Sequence, residues 1–519
     1  MHPVSTKTAE ARLEEITSAV SRFLQSSRRP VLIDPGEDAL PITADKFVLE
    51  LRGSAVTLEC WNESRNLVRR IRSVHAEKRG HLELEVERFG GLTGTLSLVD
   101  LENPSNGGVT RRGGRVKFRE LFRLALRRQY TGWKLVELST EPDLHHSLSP
   151  AYSRALLRKG STAIAAIGAA EDCLDVDGAL SFGLIWLDYL RRRESKLAVT
   201  GLVLFLPIGS ENTTCHRLRY LDPRATQYTV FVYGAGTLEE LVNPHDYTNF
   251  DTRLEPFCSR LPNGELDAWV EKLAAIEGVQ QQPRPDGSVT LAVHGLEFAR
   301  TAGTSILFGI DERHAGGELH LPEIENLARG LGRMRRAGAL DRANPLYTRH
   351  PEAWLESQVR RSVSNLDATI RETPLYTQAP QFAAGDRGIL DLLAVDYDGR
   401  LTVIEVKASQ DIHLPLQALD YWMRVKWHLE RNEFAGRGYF PGVPLRSDPP
   451  RLLLVAPALD FHPTNETLLR YFSPEVHVER IGVGIEWRQE LRVMFRAPSG
   501  TARACLSGSL DKSSTRYPV

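Results

Sequence analysis

Apolar and polar residues alternate with period two over residues 47–51, 55–60, 82–86 and 94–98, a pattern that predicts half-buried strands. A helix is expected between them, around Arg65 to Ile71. Ahead of the strands, Leu13, Ile16, Val20 and Leu24 recur at helical spacing, predicting an amphipathic helix over residues 8–24 that packs on its own module. Residues 1–101 therefore read as an N-terminal α+β module.

The Asn-Pro-Ser-Asn-Gly-Gly run from Asn103 marks residues 102–115 as a linker. Beyond it, residues 110–245 predict a helix over 116–128 with Phe118, Leu121, Phe122 and Ala125 inward, then strands over 133–138 and 162–169. A helix containing Leu184 to Tyr189 and an apolar strand over 202–207 complete that stretch. Residues 250–345 form a connecting α+β module, with helices over 266–276 and 324–336 and a strand over 287–293 after a Pro-Asp-Gly turn. From 350 to 496 the order is a helix entered at Pro351, apolar arms at 388–395 and 401–408, and a helix over 414–425 entered at Pro415. Strands over 451–455, 476–481 and 491–495 and a helix over 463–472 follow. The segment from Asp396 to Arg400 between the two arms has the Asp and Gly of a tight hairpin. Residues 497–519, rich in Ser, Gly, Thr and Lys, predict a disordered tail. The fold class is α/β and α+β, with a mixed sheet at the C-terminal end.

Charge narrows the function. Among 519 residues, 65 basic side chains face 66 acidic ones, which excludes a uniformly basic surface and leaves nucleic-acid contact to local patches. One such patch is Arg119, Arg123 and Arg127, expected outward at four-residue intervals and suited to successive phosphates. A solvated helix face paired with acids elsewhere fits that row equally well. The 5 cysteines show no C-x-x-C spacing, which argues against a structural zinc or a disulfide framework and for reduced thiols in a cytoplasmic protein. No apolar run approaches the roughly 20 residues that cross a bilayer, so no membrane association is expected. There is no G-x-x-x-x-G-K-[ST], so any unwinding of a duplex falls to another protein.

The candidate chemistry lies in the C-terminal hairpin. Side chains alternate along a strand, so Glu405 and Lys407 share a face while Val406 points away, and Asp391 on the other arm can reach that face. Paired carboxylates in an apolar strand repel unless a cation stands between them, and Mg²⁺ is the hard, oxygen-seeking ion that suits them. Glu352 and Glu356 share a face of the preceding helix; Gln417 and Tyr421 share a face of the following one.

In order, Gly388-x-x-Asp391, Glu405-x-Lys407 and Gln417-x-x-x-Tyr421 resemble the PD-(D/E)XK, or restriction-endonuclease-like, nuclease superfamily over residues 350–496, in particular its RecB/NucS-like branch. Leu390 stands where the superfamily's name has Pro. The resemblance implies an αβββαβ core and metal-dependent hydrolysis of phosphodiesters, DNA favoured over RNA, in repair or defence. It implies Mg²⁺ or Mn²⁺ held by Asp391, Glu405, the carbonyl of Val406 and Glu356, with Glu352 as the alternative to Glu356. Lys407 would orient the attacking water, and Gln417 and Tyr421 would position water or phosphate. Arg387, Arg424 and Lys426 would touch the flanking backbone, and the protein would act as a homodimer or with partner proteins. A nucleic-acid-binding scaffold, or an effector that cuts only with its partner, is the competing function.

Residues 110–245 repeat this order with Leu184, Leu187, Asp188 and Tyr189 matching Leu416, Leu419, Asp420 and Tyr421. The charges do not recur. Ala166 and Gly168, or Ala165 and Ile167 after a one-residue shift, stand for Glu405 and Lys407, and Ile185 for Gln417. Residues 110–245 thus read as a degenerate, inactive copy. Gly287-Ser288-Val289-Thr290-Leu291 also echoes the run from Gly53 to Leu58, as in a diverged tandem duplication.

Overall fold

The period-two segments of the first hundred residues are strands of one seven-stranded antiparallel sheet, seen in a computed structural model. The structure describes residues 6–28, 30–33, 40–42, 47–52, 55–62, 65–78, 80–87, 93–100, 111–234, 239–250, 252–257, 264–284, 286–377 and 392–499. Of the linker expected over 102–115, residues 102–110 lie outside them, and residues 111–115 are instead the start of helix Arg111–Gln129; of the tail expected over 497–519, residues from 500 lie outside them, and residues 497–498 instead close strand Val493–Pro498. The chain divides into two compact units, residues 1–212 with 226–243, and residues 213–225 with 244–519.

In the first unit, helix Thr6–Ser26 places Ile16, Ala19, Val20 and Phe23 against Leu58, Leu67, Ile71, Leu82 and Leu84 of that sheet. The helix expected around Arg65 to Ile71 is instead the first half of strand Arg65–Lys78. Leu67 and Ile71 are buried while Val68 and Arg70 are exposed. Their four-residue spacing satisfies period two as well as period 3.6, and pairing with strand Ala55–Asn62 decides between them.

Helix Arg111–Gln129 is covered on two sides. Phe118, Phe122, Ala125 and Leu126 enter the core of a six-stranded sheet, while Leu121 and Leu124 pack on Val31, Ile33 and Val99 of the seven-stranded one. That double packing corrects the expected Arg row. Arg123 is buried, its Nε 2.8 Å from Glu120, and Arg119 also turns to Glu120, leaving Arg127 exposed.

The six-stranded sheet of the first unit runs, in chain order, Lys134–Ser139, Tyr152–Lys159, Thr162–Ala169, Ala198–Pro207, Gln227–Tyr233 and Glu240–Val242. Successive neighbours are antiparallel, antiparallel, parallel, parallel and antiparallel. The second unit has a six-stranded sheet of Tyr376–Thr377, Leu392–Val395, Leu401–Val406, Arg451–Pro457, His477–Val483 and Val493–Pro498 with the same succession of directions. A long helix joins the third and fourth strands in each, Gly178–Arg193 and Leu414–Glu430. A short one follows the fourth, Asn212–Leu218 and Thr464–Leu469.

A five-stranded antiparallel meander, Val279–Pro283 through His314–Gly316, precedes the second of these sheets. The echo at Gly287 to Leu291 leads into its second strand, as the echoed run leads into strand Ala55–Asn62, second of the meander from Phe47–Arg52 to Thr93–Asp100. The two-residue turn His294–Gly295 has both φ angles positive, 47° and 76°, as a hairpin of this length demands. A Cβ on Gly295 would stand 2.0 Å from the carbonyl oxygen of Ala353, so the turn abuts helix Pro351–Arg361 without room for a side chain. The His294 ring stacks on Trp354 at 4.9 Å. Arg335, fully buried, lies 4.8 Å over the same indole and donates to the carbonyls of Leu346, Arg349 and His294. Burial pushes its guanidinium down to about 10, with Arg488 and Arg349 adding to the shift, so it stays charged at neutral pH. From this clamp the helix extends Trp354, Leu355 and Val359 into the core formed with Ile404, Val406, Leu453, Val455 and Ile481.

Two predictions follow from the packing. Arg123→Ala removes the nearer of the two guanidiniums at buried Glu120, leaving Arg119 at 3.3 Å, and should destabilise the chain by about 2 kcal/mol; Arg127→Ala should leave the denaturation midpoint where it is. Burial first, then Arg335 and Arg361, push the His294 imidazole down to about 4, whereas in the unfolded chain it titrates near about 6.5. The folded ring is neutral, so its share of stability is intact above the unfolded value and falls as acidification towards the folded value protonates the unfolded chain first. His294→Asn, which keeps the left-handed turn, should flatten the pH dependence of the midpoint across that window.

Candidate active site

The two apolar arms of the second unit pair antiparallel, with Leu392 opposite Ile404 and Val395 opposite Leu401. Their turn is fixed by Asp396, whose Oδ1 accepts from the backbone N–H of Asp398 and Arg400 at 3.0 and 2.8 Å. Strand Leu401–Val406 then runs parallel to Arg451–Pro457, and the Lys407 N–H donates to the carbonyl of Val455 at 2.9 Å. This pairing sends Ile404 and Val406 into the core with helix Pro351–Arg361. Glu405, on the opposite side of the pleat, is only 3% exposed.

Lys407 gathers carboxylates from three elements. Its Nζ lies 4.0 Å from Glu405 on the strand, 3.8 Å from Glu352 on the preceding helix and 3.8 Å from Asp411 in the following loop. Each contact is longer than a direct hydrogen bond, so the ammonium is held among the three by charge. Glu352, in the first turn of helix Pro351–Arg361, is half-exposed. Glu356, one turn on, is buried and close to Arg360 and Arg284, raising the proton affinity of both guanidiniums against the lowering by burial. Of the two glutamates that the sequence leaves as alternatives, Glu352 is the one beside Lys407.

Asp411 was not evident from the sequence. Its Oδ1 accepts from the His413 N–H at 2.7 Å, and its carbonyl accepts from the Nδ2 of the fully buried Asn465 at 2.9 Å. The one local signal is an Asp two residues before a helix entrance, which reads as turn chemistry alone. On helix Leu414–Glu430, Gln417 is half-buried, its N–H bonded to the His413 carbonyl at 3.0 Å, and Tyr421 is buried. Asp420 between them takes both arms of Arg217, at 2.9 and 2.7 Å, from the segment 213–225 of the same unit. Arg424 is half-buried. Lys426 is ion-paired with Glu430 and stands 5.7 Å from the Tyr220 ring, so its charge is turned to the protein. Asp391 and Arg387 lie outside the described residues.

A divalent cation takes hard oxygen donors. Glu405, nearly buried, and Glu352, half-exposed, each approach the Lys407 ammonium and carry carboxylate oxygens of that kind. Among the described residues no group of three His, Cys, Asp or Glu side chains closes on one point.

Strand pairing also sets the correspondence with the first six-stranded sheet. With Leu202–Pro207 laid on Leu452–Pro457, Leu204 matches Leu454; Leu204 pairs with Ile167 and Leu454 with Glu405. Ile167 and Ala169 therefore stand where Glu405 and Lys407 do, in place of both sequence assignments. The sequence lacked the partner strand, and a bulge at Ala163 and Ile164 shifts the register. By the pairs Ala166–Ala155 and Ile404–Leu392, the residue before Ala155, Arg154, matches the residue before Leu392, Asp391. Arg154 is buried and donates to the carbonyls of Ser149 and Glu141.

No protein-family model matches the chain, and no curated protein matches it. A solved structure of EndoMS in apo form is similar at 15% identity over 37% of this chain and 85% of that one, with a TM-score of 0.13. At that score the likeness has no bearing on the site.

The two glutamates separate by experiment. Glu356→Gln, which removes a buried carboxylate close to the half-buried Arg360 and Arg284, should lower the thermal midpoint of the chain. Glu352→Gln, at a half-exposed position, should leave the midpoint unchanged.

Proposed function

We propose that the chain is a metal-dependent nuclease that hydrolyses phosphodiester bonds, of DNA rather than RNA, in repair or defence. The observation that carries this proposal is the Lys407 ammonium among Glu405, Glu352 and Asp411 at the end of a buried strand. Glu405 and Asp391, with the carbonyl of Val406, would hold Mg²⁺ or Mn²⁺. When bound, such an ion polarises a phosphate oxygen and lowers the pKa of a coordinated water.

The side chains supply the rest. Lys407 donates to the attacking water and to the phosphate oxygens, stabilising the charge that builds as the new bond forms. Asp411, tied through its Oδ1 and its carbonyl, holds the ammonium in place. Glu352, in preference to Glu356, is the helix carboxylate that orders water at the site. Gln417 offers hydrogen bonds beside it, and Tyr421, buried one turn on, packs the helix that carries it. The protein acts alone, as a homodimer or with partner proteins.

Labelled single-stranded, duplex and forked DNA, incubated with Mg²⁺ or Mn²⁺, tests this. Cleavage should fall at least about a hundredfold in both Lys407→Ala and Glu405→Ala, with binding retained. Cleavage that survives both substitutions would place the activity elsewhere. Salt-sensitive binding without any cutting would instead identify a scaffold or a nuclease that awaits a partner.

A further inference from the structure

The two six-stranded sheets share strand order, strand directions, the long helix between third and fourth strands and the short helix after the fourth. Each follows an antiparallel meander with a helix ahead of it, Thr6–Ser26 in one case and Gly264–Ala274 in the other. The chain is thus written twice at the level of topology. The catalytic inventory is not. Where the second sheet has Glu405 and Lys407, the first has Ile167 and Ala169, and Arg154 precedes Ala155 in sequence as Asp391 precedes Leu392. A guanidinium and two alkyl groups cannot hold a divalent cation or activate a water.

A second observation concerns pairing. Within the second unit, Leu218-Arg219-Tyr220-Leu221-Asp222 lies against Leu469-Arg470-Tyr471-Phe472-Ser473, its own sequence counterpart. The Asp222 N–H donates to the Tyr471 carbonyl at 2.7 Å, and the Ser473 N–H donates to the Tyr220 carbonyl at 2.8 Å. Equivalent residues exchange equivalent bonds, which is the signature of an isologous contact, here made inside one chain. Tyr220 also meets Trp422 edge to face at 5.2 Å, and Arg217 clamps Asp420. The surface that a second copy would need for such a contact is already occupied.

We infer that the protein cuts one strand of a duplex and leaves the other intact, because one chain supplies its own pairing segment but only one catalytic set. The inference rests on the nuclease function proposed above. In each event the oxygen of one water bonds to phosphorus and the bond to one sugar oxygen breaks. The water's two protons are shared between that departing oxygen and the medium or the new phosphate. The products are one sugar hydroxyl and one terminal phosphomonoester, with no redox partner needed.

The test uses duplex and forked DNA carrying a different fluorophore on each strand, with the full-length protein in excess and Mg²⁺ present. Native and denaturing gels should show each cut molecule broken in one strand only, and protein carrying Glu405→Ala should cut neither. Double-strand breaks that appear from the start at the same rate as single cuts would overturn the inference while leaving the nuclease function standing. So would double-strand breaks that rise with the square of the protein concentration, which would reveal two chains acting together. Cutting confined to single-stranded DNA would also overturn it. Absence of any cutting would bring down the nuclease function itself, and the inference with it.

Discussion

An ammonium group that stands within 4.0 Å of three carboxylates sets the terms for the second unit. At an effective dielectric near 20, a pair of unit charges at that distance interacts by on the order of 4 kcal/mol, and the carboxylates repel one another on the same scale. Such a group holds only if its members cannot drift. Glu405 is held by the ladder, with parallel and antiparallel neighbours on either side. Glu352 is held at a helix entrance that Arg335, Trp354 and the His294–Gly295 turn pin from behind. Asp411 is held through its backbone by a buried asparagine. The meander is therefore more than a connector: it supplies the hard surface against which the Glu352 helix is positioned.

Much of this was legible in the sequence, and what was not had a physical cause. The hairpin around Asp396 to Arg400, the helices entered at Pro351 and Pro415 and the strand over 162–169 follow from local periodicity and turn chemistry, which survive folding unchanged. Arg65 to Ile71 misled because Leu67 and Ile71 satisfy both periods, and only a neighbouring strand chooses between them. Arg123 misled because a helix wheel assumes one buried side, whereas Arg111–Gln129 has two sheets to serve. Asp411 was invisible because its partner Asn465 is distant in the chain. Which of Glu352 and Glu356 stands near Lys407 was equally hidden, because Glu356 lies close to Arg360 and Arg284, and Arg284 is far from it in the chain.

The repeated topology does not depend on charged residues at the centre of the sheet: the first sheet has the same strand order and directions with aliphatic side chains there. Ile167 is fully buried on the sheet face that meets helix Gly178–Arg193, where a Cβ on Gly183 would stand 3.0 Å from its Cγ2, and a carboxylate there would be costly to desolvate. Aliphatic side chains at such central positions favour stability over buried charges.

Arg154 fixes what the first sheet can carry at this place. Its guanidinium carries the carbonyls of Ser149 and Glu141. A carboxylate at 154 would strand both acceptors. Ile167 pairs directly with Arg154 across the ladder, so a carboxylate at 167 would meet that same guanidinium and compete with the two carbonyls for it. The loop ends that those carbonyls belong to are therefore tied to the apolar character of position 167, two features of the chain that no local pattern connects.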